Sequence, residues 1–394
     1  LFSEVQTWRD ELREARNGLV DVLAALADDT IVNATDEELH AALLTIGRVN
    51  ALALASLEKG VQHKYGDQSP FAALTTNSCM SARPGKGVLF CGDDFGALWE
   101  LLVQADVNEI NVWTHGDAIA AHGYKKFRDH RRLAGHFGGS WRDQPRELGA
   151  FPGGIVVSSF PLEEPDDSYA PYIFSLEPTR FESIGTLRKR NGVSDMTLAM
   201  RAARDSSGFF RSQSTEKFPV GFGGQEVANT AERAANAYRN GALAKVVVIG
   251  GQDHASADAD YFTRLFSQIP SNSFVLSFGD VKFRFDRSQF KTTPFGVQKL
   301  VDVGRERDAN CALRFAELFA SKLDRTPETA PVAFFISLWG EASIAFVLAL
   351  CAIGYRDIVV GPQPPVCWTP AFTESLRERY GVRIATDPAT DLEL

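Results

Sequence analysis

The sequence predicts an α/β protein in which a short N-terminal helical bundle precedes two Rossmann-like α/β domains with mainly parallel sheets. Three observations lead to this prediction. Apolar residues recur at helical spacing near the N-terminus, β-rich apolar runs alternate with amphipathic stretches from Gly87 onward, and an irregular segment interrupts this alternation at residues 205–222. Strands that alternate with helices in this way build parallel sheets with helices on both faces.

Two helices are expected at the N-terminus, over residues 4–26 and 35–59. Residues 33–36 contain the Asn, Thr and Asp side chains that cap helix N-termini, so the second helix should begin there. The apolar residues of this helix predict one buried stripe. That stripe consists of Leu39, Leu43, Leu44, Ile46, Leu52 and Leu57.

A series of short apolar runs predicts the strands of the two sheets. These runs are residues 87–90, 110–114, 154–158, 246–249, 273–278, 332–338 and 357–360. Amphipathic helices are expected between them, for example at residues 95–105, 226–240 and 311–323.

The irregular stretch at residues 205–222 contains Ser-Ser-Gly and Phe-Pro-Val, which are typical of a domain boundary. The predicted division is therefore a helical region at 1–80, a first Rossmann-like domain at 81–216 and a second at 217–394.

The composition indicates an ordinary globular protein rather than a nucleic-acid-binding one. The 394 residues are 44% hydrophobic and 23% charged, with a formal net charge of -9. No basic run is longer than the three residues 188–190, so we expect no nucleic acid partner.

The cysteines form no C-x-x-C pair, which argues against a zinc or dithiol redox motif and against a disulfide framework. They are Cys79, Cys91, Cys311, Cys351 and Cys367. This usage favours a soluble, reducing compartment, such as the matrix of a mitochondrion or plastid. The chain begins at Leu1 without a Met, so no targeting peptide can be identified.

One apolar segment, residues 332–355, is long enough to cross a bilayer. Gly340, Glu341 and Ser343 interrupt it near its middle. A buried strand at 332–338 followed by a buried helix at 342–353 explains the same residues, because both elements belong to α/β domains. We therefore expect no transmembrane segment.

The residues directly after the predicted strands are the candidate site, because open α/β sheets bind ligands beyond the carboxyl ends of their strands. The candidates are Asp93, Asp117, Phe160-Pro161, Gln252-Asp253-His254, Asp280 and Gly340-Glu341.

Several short motifs in the same regions resemble those of the hybrid cluster proteins, the hydroxylamine reductase-like (prismane) family related to carbon monoxide dehydrogenase. The most specific are T-H-G-D at residues 114–117 and H-G-Y at 122–124, which resemble the family's T-H-G-E and H-G-Y. Further motifs are G-G-S-W at 138–141, A-F-P-G at 150–153, V-I-G-G-Q-D at 248–253, K-F-R-F at 282–285, L-V-D-V-G at 300–304 and G-P-Q-P-P at 361–365. The resemblance runs from about residue 46 to the C-terminus.

This resemblance implies an iron-sulfur-oxo cluster held by one His, two Glu and four Cys, yet none of these ligands is kept. Asp93 stands at the histidine position, Asp117 and Gly340 at the glutamates, and Pro161, Gln252, Asp280 and Glu306 at the cysteines. Ala342 stands where a lysine is usual, and no cysteine precedes Cys79 to match those that bind the family's second, cubane-type cluster. The resemblance with these replacements implies a hybrid cluster protein-like pseudoenzyme, without the cluster or any other cofactor, that serves as a structural or accessory subunit of a larger assembly.

Two enzymatic alternatives remain open. In the first, Asp93, Asp117, Asp280 and Glu306 hold a hard divalent metal, or the former cluster pocket holds a small ligand. Uncompensated buried carboxylates are costly, so Lys282, Arg305, Arg307 or His115 would otherwise have to form salt bridges with them. In the second, the protein retains hydroxylamine or nitric oxide reductase activity, which would require an iron-sulfur cluster that this sequence is poorly suited to bind.

Overall fold

The structure is a computed structural model that describes residues 13, 17, 18, 20, 34–139, 141–212, 216–254, 258, 260–366 and 368–393. The helix expected over residues 4–26 lies almost wholly outside these described residues.

The chain forms two compact units, which we call the middle unit and the split unit. The middle unit is Gln68–Gly221, and the split unit combines Leu1–Asp67 with Phe222–Leu394. This division differs from the boundaries 1–80, 81–216 and 217–394 that the sequence suggested. Residues 71–76 form a strand of the middle unit's sheet, and such long-range pairing leaves no local signal in the sequence.

The middle unit is built on an eight-stranded sheet with the order β12-β1-β5-β4-β3-β6-β7-β8. All neighbouring strands run parallel except β1 and β12 at one edge, which pair antiparallel. The strands of this unit are β1 (Phe71–Thr76), β2 (Met80–Ser81), β3 (Gly87–Gly92), β4 (Asn111–His115), β5 (Leu133–Phe137), β6 (Gly154–Ser158), β7 (Ile173–Ser175), β8 (Gly185–Thr186), β9 (Lys189–Arg190), β10 (Val193–Ser194), β11 (Phe210–Arg211) and β12 (Glu216–Val220).

The split unit is built on a six-stranded, wholly parallel sheet with the order β15-β14-β13-β16-β17-β18. Its strands are β13 (Lys245–Gly251), β14 (Ser273–Phe278), β15 (Leu300–Gly304), β16 (Val332–Ser337), β17 (Ile358–Val360) and β18 (Val382–Ile384). Parallel strands buried on both faces read as continuous apolar runs, which is why the sequence revealed most of them.

Helices accompany the strands of both sheets. They are α1 (Asp36–Tyr65), α2 (Phe95–Val107), α3 (Lys125–Arg128), α4 (Gln144–Ala150), α5 (Thr197–Asp205), α6 (Gln225–Arg239), α7 (Asp260–Gln268), α8 (Asn310–Lys322), α9 (Glu341–Ile353), α10 (Pro370–Tyr380) and α11 (Pro388–Leu392). The predicted α/β class with mainly parallel sheets is confirmed.

Helix α1 begins where the sequence predicted, and the predicted stripe is confirmed only in part. Thr35 and Glu38 form a reciprocal capping box at its N-terminus. Leu44 packs against the core of the split unit, whereas Leu39 is exposed and the fully buried positions include Gly47 and Leu54. A Cβ at Gly47 would lie 2.1 Å from the Leu348 carbonyl oxygen of α9, so the two helices approach too closely for a larger side chain.

The apolar segment at residues 332–355 forms strand β16 followed by helix α9, as predicted. Among the described residues, α1 alone is long and apolar enough to cross a membrane, judged by length and composition. A single such helix is weak evidence for a span, because core helices of soluble proteins and signal sequences meet the same criterion.

Candidate functional site

In the middle unit, three of the predicted site residues lie at one edge of the sheet. Asp93 follows β3, Asp117 belongs to the 3₁₀ helix Gly116–Gly123 after β4, and Pro161 follows β6. Strand β3 pairs in parallel with both β4 and β6, so the carboxyl ends of all three strands meet. The two aspartates are partly buried and Pro161 is exposed.

Close packing fixes the loops that carry these residues. Gly92, just before Asp93, has a φ of +136°, and a Cβ there would lie 1.7 Å from the Ser158 carbonyl oxygen. Only glycine can occupy this position. The Gln144 amide nitrogen donates a hydrogen bond of 2.9 Å to the Pro161 carbonyl oxygen and so holds the third loop.

A buried histidine–carboxylate pair lies beside Asp117. His115 Nε2 lies 3.0 Å from Glu147 Oε2, and the backbone N–H of Gly139 donates to the same oxygen at 2.9 Å. Burial alone would raise the pKa of Glu147, but the hydrogen bond and charge of His115, with the Gly139 N–H, lower it below the usual value. His115, a possible compensating cation for the site carboxylates, therefore pairs with a residue that the sequence analysis had not singled out.

The neighbouring histidines form a buried hydrogen-bond group around Thr114. The Thr114 hydroxyl lies 3.0 Å from His122 Nε2 and 2.9 Å from His136 Nδ1. Burial lowers the pKa of His122 to about 4, so its imidazole is neutral at physiological pH.

In the split unit, the other predicted positions cluster at the equivalent edge of the second sheet. The Asp253 N–H donates to Asp280 Oδ1 at 2.6 Å. A Cβ placed on Gly340 would lie 2.9 Å from Gln252 Oε1. The Gln252 side chain thus occupies the space into which a side chain at position 340 would extend.

Glu306 joins this cluster through Ser343, whose hydroxyl donates to Glu306 Oε1 at 2.6 Å. A Cβ on Gly251 would lie 2.9 Å from the same hydroxyl oxygen, which places Ser343 next to the segment that carries Gln252. The structure therefore brings Gln252, Asp280, Glu306 and Gly340 to one edge of the split unit.

A cavity of about 240 Å³ lies beside Glu306 in the split unit. Its walls are mainly apolar and include Leu54 of α1, Phe278 of β14 and Phe346 of α9. Asn50 of α1 also lines it, and the Asn50 amide nitrogen is buried without a hydrogen-bond partner among the described residues. Ala342, at the position where the resemblance places a lysine, lies in the same wall.

Two more of the basic residues offered as compensating charges, Lys282 and Arg305, pair with carboxylates other than the candidate site residues. Lys282 Nζ lies 2.7 Å from Asp302 Oδ1, with both side chains fully buried. Arg305 contacts Asp308 through two guanidinium nitrogens, each at 2.8 Å. Neither Asp302 nor Asp308 was identified as a partner from the sequence. Asp302 lies inside the apolar run 300–304, however, and a charged residue in such a run indicates a buried ion pair.

The donor set at these positions does not match that of an iron-sulfur cluster, which needs thiolates. Of the described cysteines, Cys91, Cys311 and Cys351 are buried, and burial raises the pKa of each thiol, to about 12 for Cys351. Within the part of the chain that the structure describes, no three His, Cys, Asp or Glu side chains are grouped so as to hold a metal ion.

The sequence of this chain is similar to those of proteins named hydroxylamine reductase. The model of the Prismane/CO dehydrogenase family matches residues 6–393. A hydroxylamine reductase of Acidiphilium cryptum is 31% identical over 382 residues, which cover 97% of this chain and 67% of the relative. A hydroxylamine reductase of Burkholderia lata is 32% identical over 384 residues, covering 98% and 66%. The chain thus spans about two thirds of the length of these relatives.

Solved structures with a similar fold are carbon monoxide dehydrogenases. Carbon monoxide dehydrogenase IV from Carboxydothermus hydrogenoformans superposes with a TM-score of 0.70 at 14% identity, covering 89% of this chain and 66% of the other. The enzyme from Thermococcus sp. AM4 gives a TM-score of 0.69, also at 14% identity, covering 91% and 65%. At this identity the likeness concerns the fold alone.

Proposed function

Because this chain belongs to the Prismane/CO dehydrogenase family, we propose that it is a hybrid cluster protein-like pseudoenzyme that has lost the iron-sulfur-oxo cluster. It serves as a structural or accessory subunit of a larger protein assembly. One observation carries this proposal: the positions that the motif resemblance assigns to the cluster ligands hold no cysteine, so they supply no thiolate. They are Asp93, Asp117, Pro161, Gln252, Asp280, Glu306 and Gly340.

The packing around these residues supports the proposal. A glutamate at position 340 would have to displace the Gln252 side chain, since Gln252 Oε1 lies 2.9 Å from the Cβ position. The thiols nearest in sequence, Cys91 and Cys311, are buried and have raised pKa values, so they are poorly suited to supply thiolates. The scaffold, by contrast, has two extensive and mainly parallel sheets, so its fold does not depend on a cluster for its core.

The experiment is elemental analysis with an ultraviolet-visible spectrum of the protein purified anaerobically from its native source. Loss of the cluster predicts neither iron with labile sulfide nor a brown chromophore, together with co-purifying protein subunits. A hydroxylamine reductase relative purified in parallel is the control for the assay of hydroxylamine reduction. Iron with stoichiometric labile sulfide, or hydroxylamine reduction at the control's rate, would contradict the proposal.

A second candidate function is an enzyme that holds a small ligand or a hard divalent metal in the former cluster pocket. The observation that favours it is the cavity of about 240 Å³ beside Glu306, which is lined by Asn50, a residue whose amide nitrogen is buried without a hydrogen-bond partner among the described residues. The same elemental analysis separates the metal form, because a stoichiometric metal without sulfide would support carboxylate ligation. Asp280 and Glu306, which lie at the same edge of the split unit, are the residues whose replacement by Asn or Gln should then weaken metal retention.

A further inference from the structure

A second cavity, in the middle unit, lies at the same edge of the sheet as Asp93 and Pro161. It has a volume of about 250 Å³ and opens at the carboxyl ends of β6 and β7, where α/β sheets bind ligands. Such a volume is below the roughly 300–1,000 Å³ of sites for drug-sized molecules, so a ligand here would be a small metabolite. The polar residues that matter for its chemistry are Ser158, Ser159, Glu177 and Arg180.

Two hydrogen bonds hold the Glu177 carboxylate in place, although Glu177 is exposed. The buried Ser158 hydroxyl donates to its Oε1 at 3.0 Å, and the Ser159 N–H donates to its Oε2 at 3.3 Å. The Ser175 hydroxyl fixes the Glu177 backbone by donating to its carbonyl oxygen at 2.6 Å. Each carboxylate oxygen retains lone-pair capacity for a further donor, so Glu177 is a pre-organised acceptor.

Ser159 adopts an energetically costly backbone conformation, which lets its N–H donate to the Glu177 carboxylate. Its φ is +49°, in the left-handed region that residues other than glycine rarely enter. This conformation follows directly on strand β6 and directs the Ser159 N–H onto the Glu177 carboxylate. A strain of this kind persists where the surrounding structure enforces it, and such strain clusters at ligand sites.

Arg180 supplies the opposite charge in the same cavity. Its guanidinium carbon lies 4.8 Å from the centre of the Phe181 ring, which orients the planar group. Arg180 is exposed, and the structure gives its guanidinium no carboxylate partner among the described residues. A planar guanidinium held in this way can bind a carboxylate through two parallel N–H donors.

From one fixed carboxylate and one oriented guanidinium in a small cavity, we propose that the middle unit binds a small zwitterion with both an ammonium and a carboxylate group, as an amino acid has. The ligand's ammonium donates to Glu177 and its carboxylate accepts from Arg180. The faces of Phe160 and Phe181 contact its apolar part. Because the two protein charges cancel, a ligand without net charge is favoured over a simple cation or anion. This inference is independent of whether the family's cluster is present.

The test is ligand-observed NMR of the full chain with each of the proteinogenic amino acids, followed by calorimetry. The tightest amino acid is compared with the amine that lacks its carboxylate and the acid that lacks its ammonium. We expect the zwitterion to bind at least about tenfold more tightly than either, since each analogue lacks one charge-assisted hydrogen bond and a factor of ten corresponds to about 1.4 kcal/mol. Glu177→Gln and Arg180→Gln should each weaken binding by a similar factor.

Matched controls come from the same segment of the chain. Glu182→Gln and Arg188→Gln remove exposed charges of the same kind outside the cavity and should leave the affinity unchanged. Ser158→Ala, which frees Glu177 without changing the charge of the cavity, should give an intermediate loss. The proposal is overturned if no amino acid binds at about 10 mM, if the amine alone binds as tightly as the zwitterion, or if Glu177→Gln and Arg180→Gln behave like the controls.

Discussion

Lys282 and Asp302 form an ion pair that is wholly enclosed by the split unit, with the ammonium nitrogen 2.7 Å from Asp302 Oδ1 and neither side chain exposed. Lys282 also donates to the Gly304 carbonyl oxygen at 2.9 Å, and the Gly304 N–H donates to Asp302 Oδ1 at 3.1 Å. Burial raises the pKa of Asp302, although the neighbouring ammonium opposes that change. The pair connects the carboxyl ends of β14 and β15, close in sequence to the candidate residues Asp280 and Glu306.

Replacing Lys282 by Met should destabilise the protein strongly, because it leaves the Asp302 carboxylate buried without its cation. The free energy of unfolding should fall by about 3–5 kcal/mol, which is the usual cost of breaking a buried pair from one side. Urea denaturation followed by circular dichroism measures this change.

The double variant Lys282→Met/Asp302→Asn should regain part of that loss, since the stranded charge is then gone. Lys322→Met is the control, because Lys322 pairs with Glu232 at the surface, where their side chains are 31% and 52% exposed. This control should cost less than about 1 kcal/mol. If Lys282→Met and Lys322→Met lowered the free energy of unfolding equally, burial of the Lys282–Asp302 pair would have no effect on the cost of breaking it.

Glu147→Gln should destabilise the middle unit, because it removes the charged acceptor of His115 and of the Gly139 N–H. The expected loss is about 1–3 kcal/mol at neutral pH. The pKa of Glu147 is lowered by folding, so its stabilisation is present above the unfolded value of 4.5 and disappears as the pH falls through the folded value. The difference between the wild type and the variant should therefore shrink in acid. Glu164→Gln, at an exposed position, should stay close to the wild type at every pH.

Most buried strands could be predicted from the sequence because their apolar runs are local signals. Strands Gly154–Ser158 and Ser273–Phe278 have the predicted bounds, and Val332–Ser337 ends one residue earlier than expected. The antiparallel pair of Phe71–Thr76 with Glu216–Val220 was not predicted. Both strands are only partly buried, and their register depends on residues far apart in the chain.

The sequence predicted where the candidate residues lie in the two sheets but not what they contact. Asp93 and Asp117 follow strands of the middle unit's sheet, and Gln252 and Asp280 follow strands of the split unit's sheet, as their positions after the apolar runs indicated. The partners of the basic residues could not be predicted, because Lys282 and His115 pair with Asp302 and Glu147 across 20 and 32 residues of sequence. Such pairs depend on which loops the fold brings together, and a single sequence does not record that.

Acidification should destabilise the protein through His122. Burial lowers its folded pKa to about 4, against 6.5 for the unfolded chain, so between these values the unfolded state binds more protons. The contribution of His122 to the free energy of unfolding is therefore fully present above about pH 6.5 and is lost as the pH falls toward 4. By pH 5 this residue lowers the free energy of unfolding by about 2 kcal/mol.

The measurement is urea denaturation of the wild type and of His122→Asn at pH 7 and pH 5. The variant should lose about 2 kcal/mol less than the wild type between the two conditions. Thr114→Val is the control, because it removes the hydroxyl that contacts His122 but keeps the titrating ring. It should be less stable at both pH values yet retain the pH dependence, and an identical pH dependence in His122→Asn would contradict the prediction.

Thiol labelling of the native protein should distinguish the cysteines sharply. Cys79 is exposed and should react with a maleimide at once. Cys91, Cys311 and Cys351 are buried and have raised pKa values, so they should react only after unfolding. Peptide mapping by mass spectrometry assigns each site. Rapid native labelling of Cys91 or Cys311 would reveal an accessible thiolate and would count against loss of the cluster.

Two asparagines in the split unit provide the last prediction, because within the described part of the chain one amide nitrogen has a hydrogen-bond partner and the other has none. The Asn310 amide nitrogen donates to Glu58 Oε2 at 2.5 Å, whereas the Asn50 amide nitrogen is buried without a partner, and Asn50 lines the cavity beside Glu306. An unsatisfied buried donor costs about 1–3 kcal/mol. Asn50→Leu should therefore leave stability unchanged or raise it by about 1 kcal/mol, and Asn310→Leu should lower it by about 1–3 kcal/mol.

Thermal and urea denaturation of the two variants, prepared from the same host, measure these changes. Loss of stability in Asn50→Leu as large as that in Asn310→Leu would show that Asn50 has a partner in the purified protein. Mass spectrometry of the denatured wild type would then be used to look for a small molecule released from the cavity. That result would favour the ligand-binding enzyme over the pseudoenzyme, because an amide held by a bound acceptor stabilises only the occupied site.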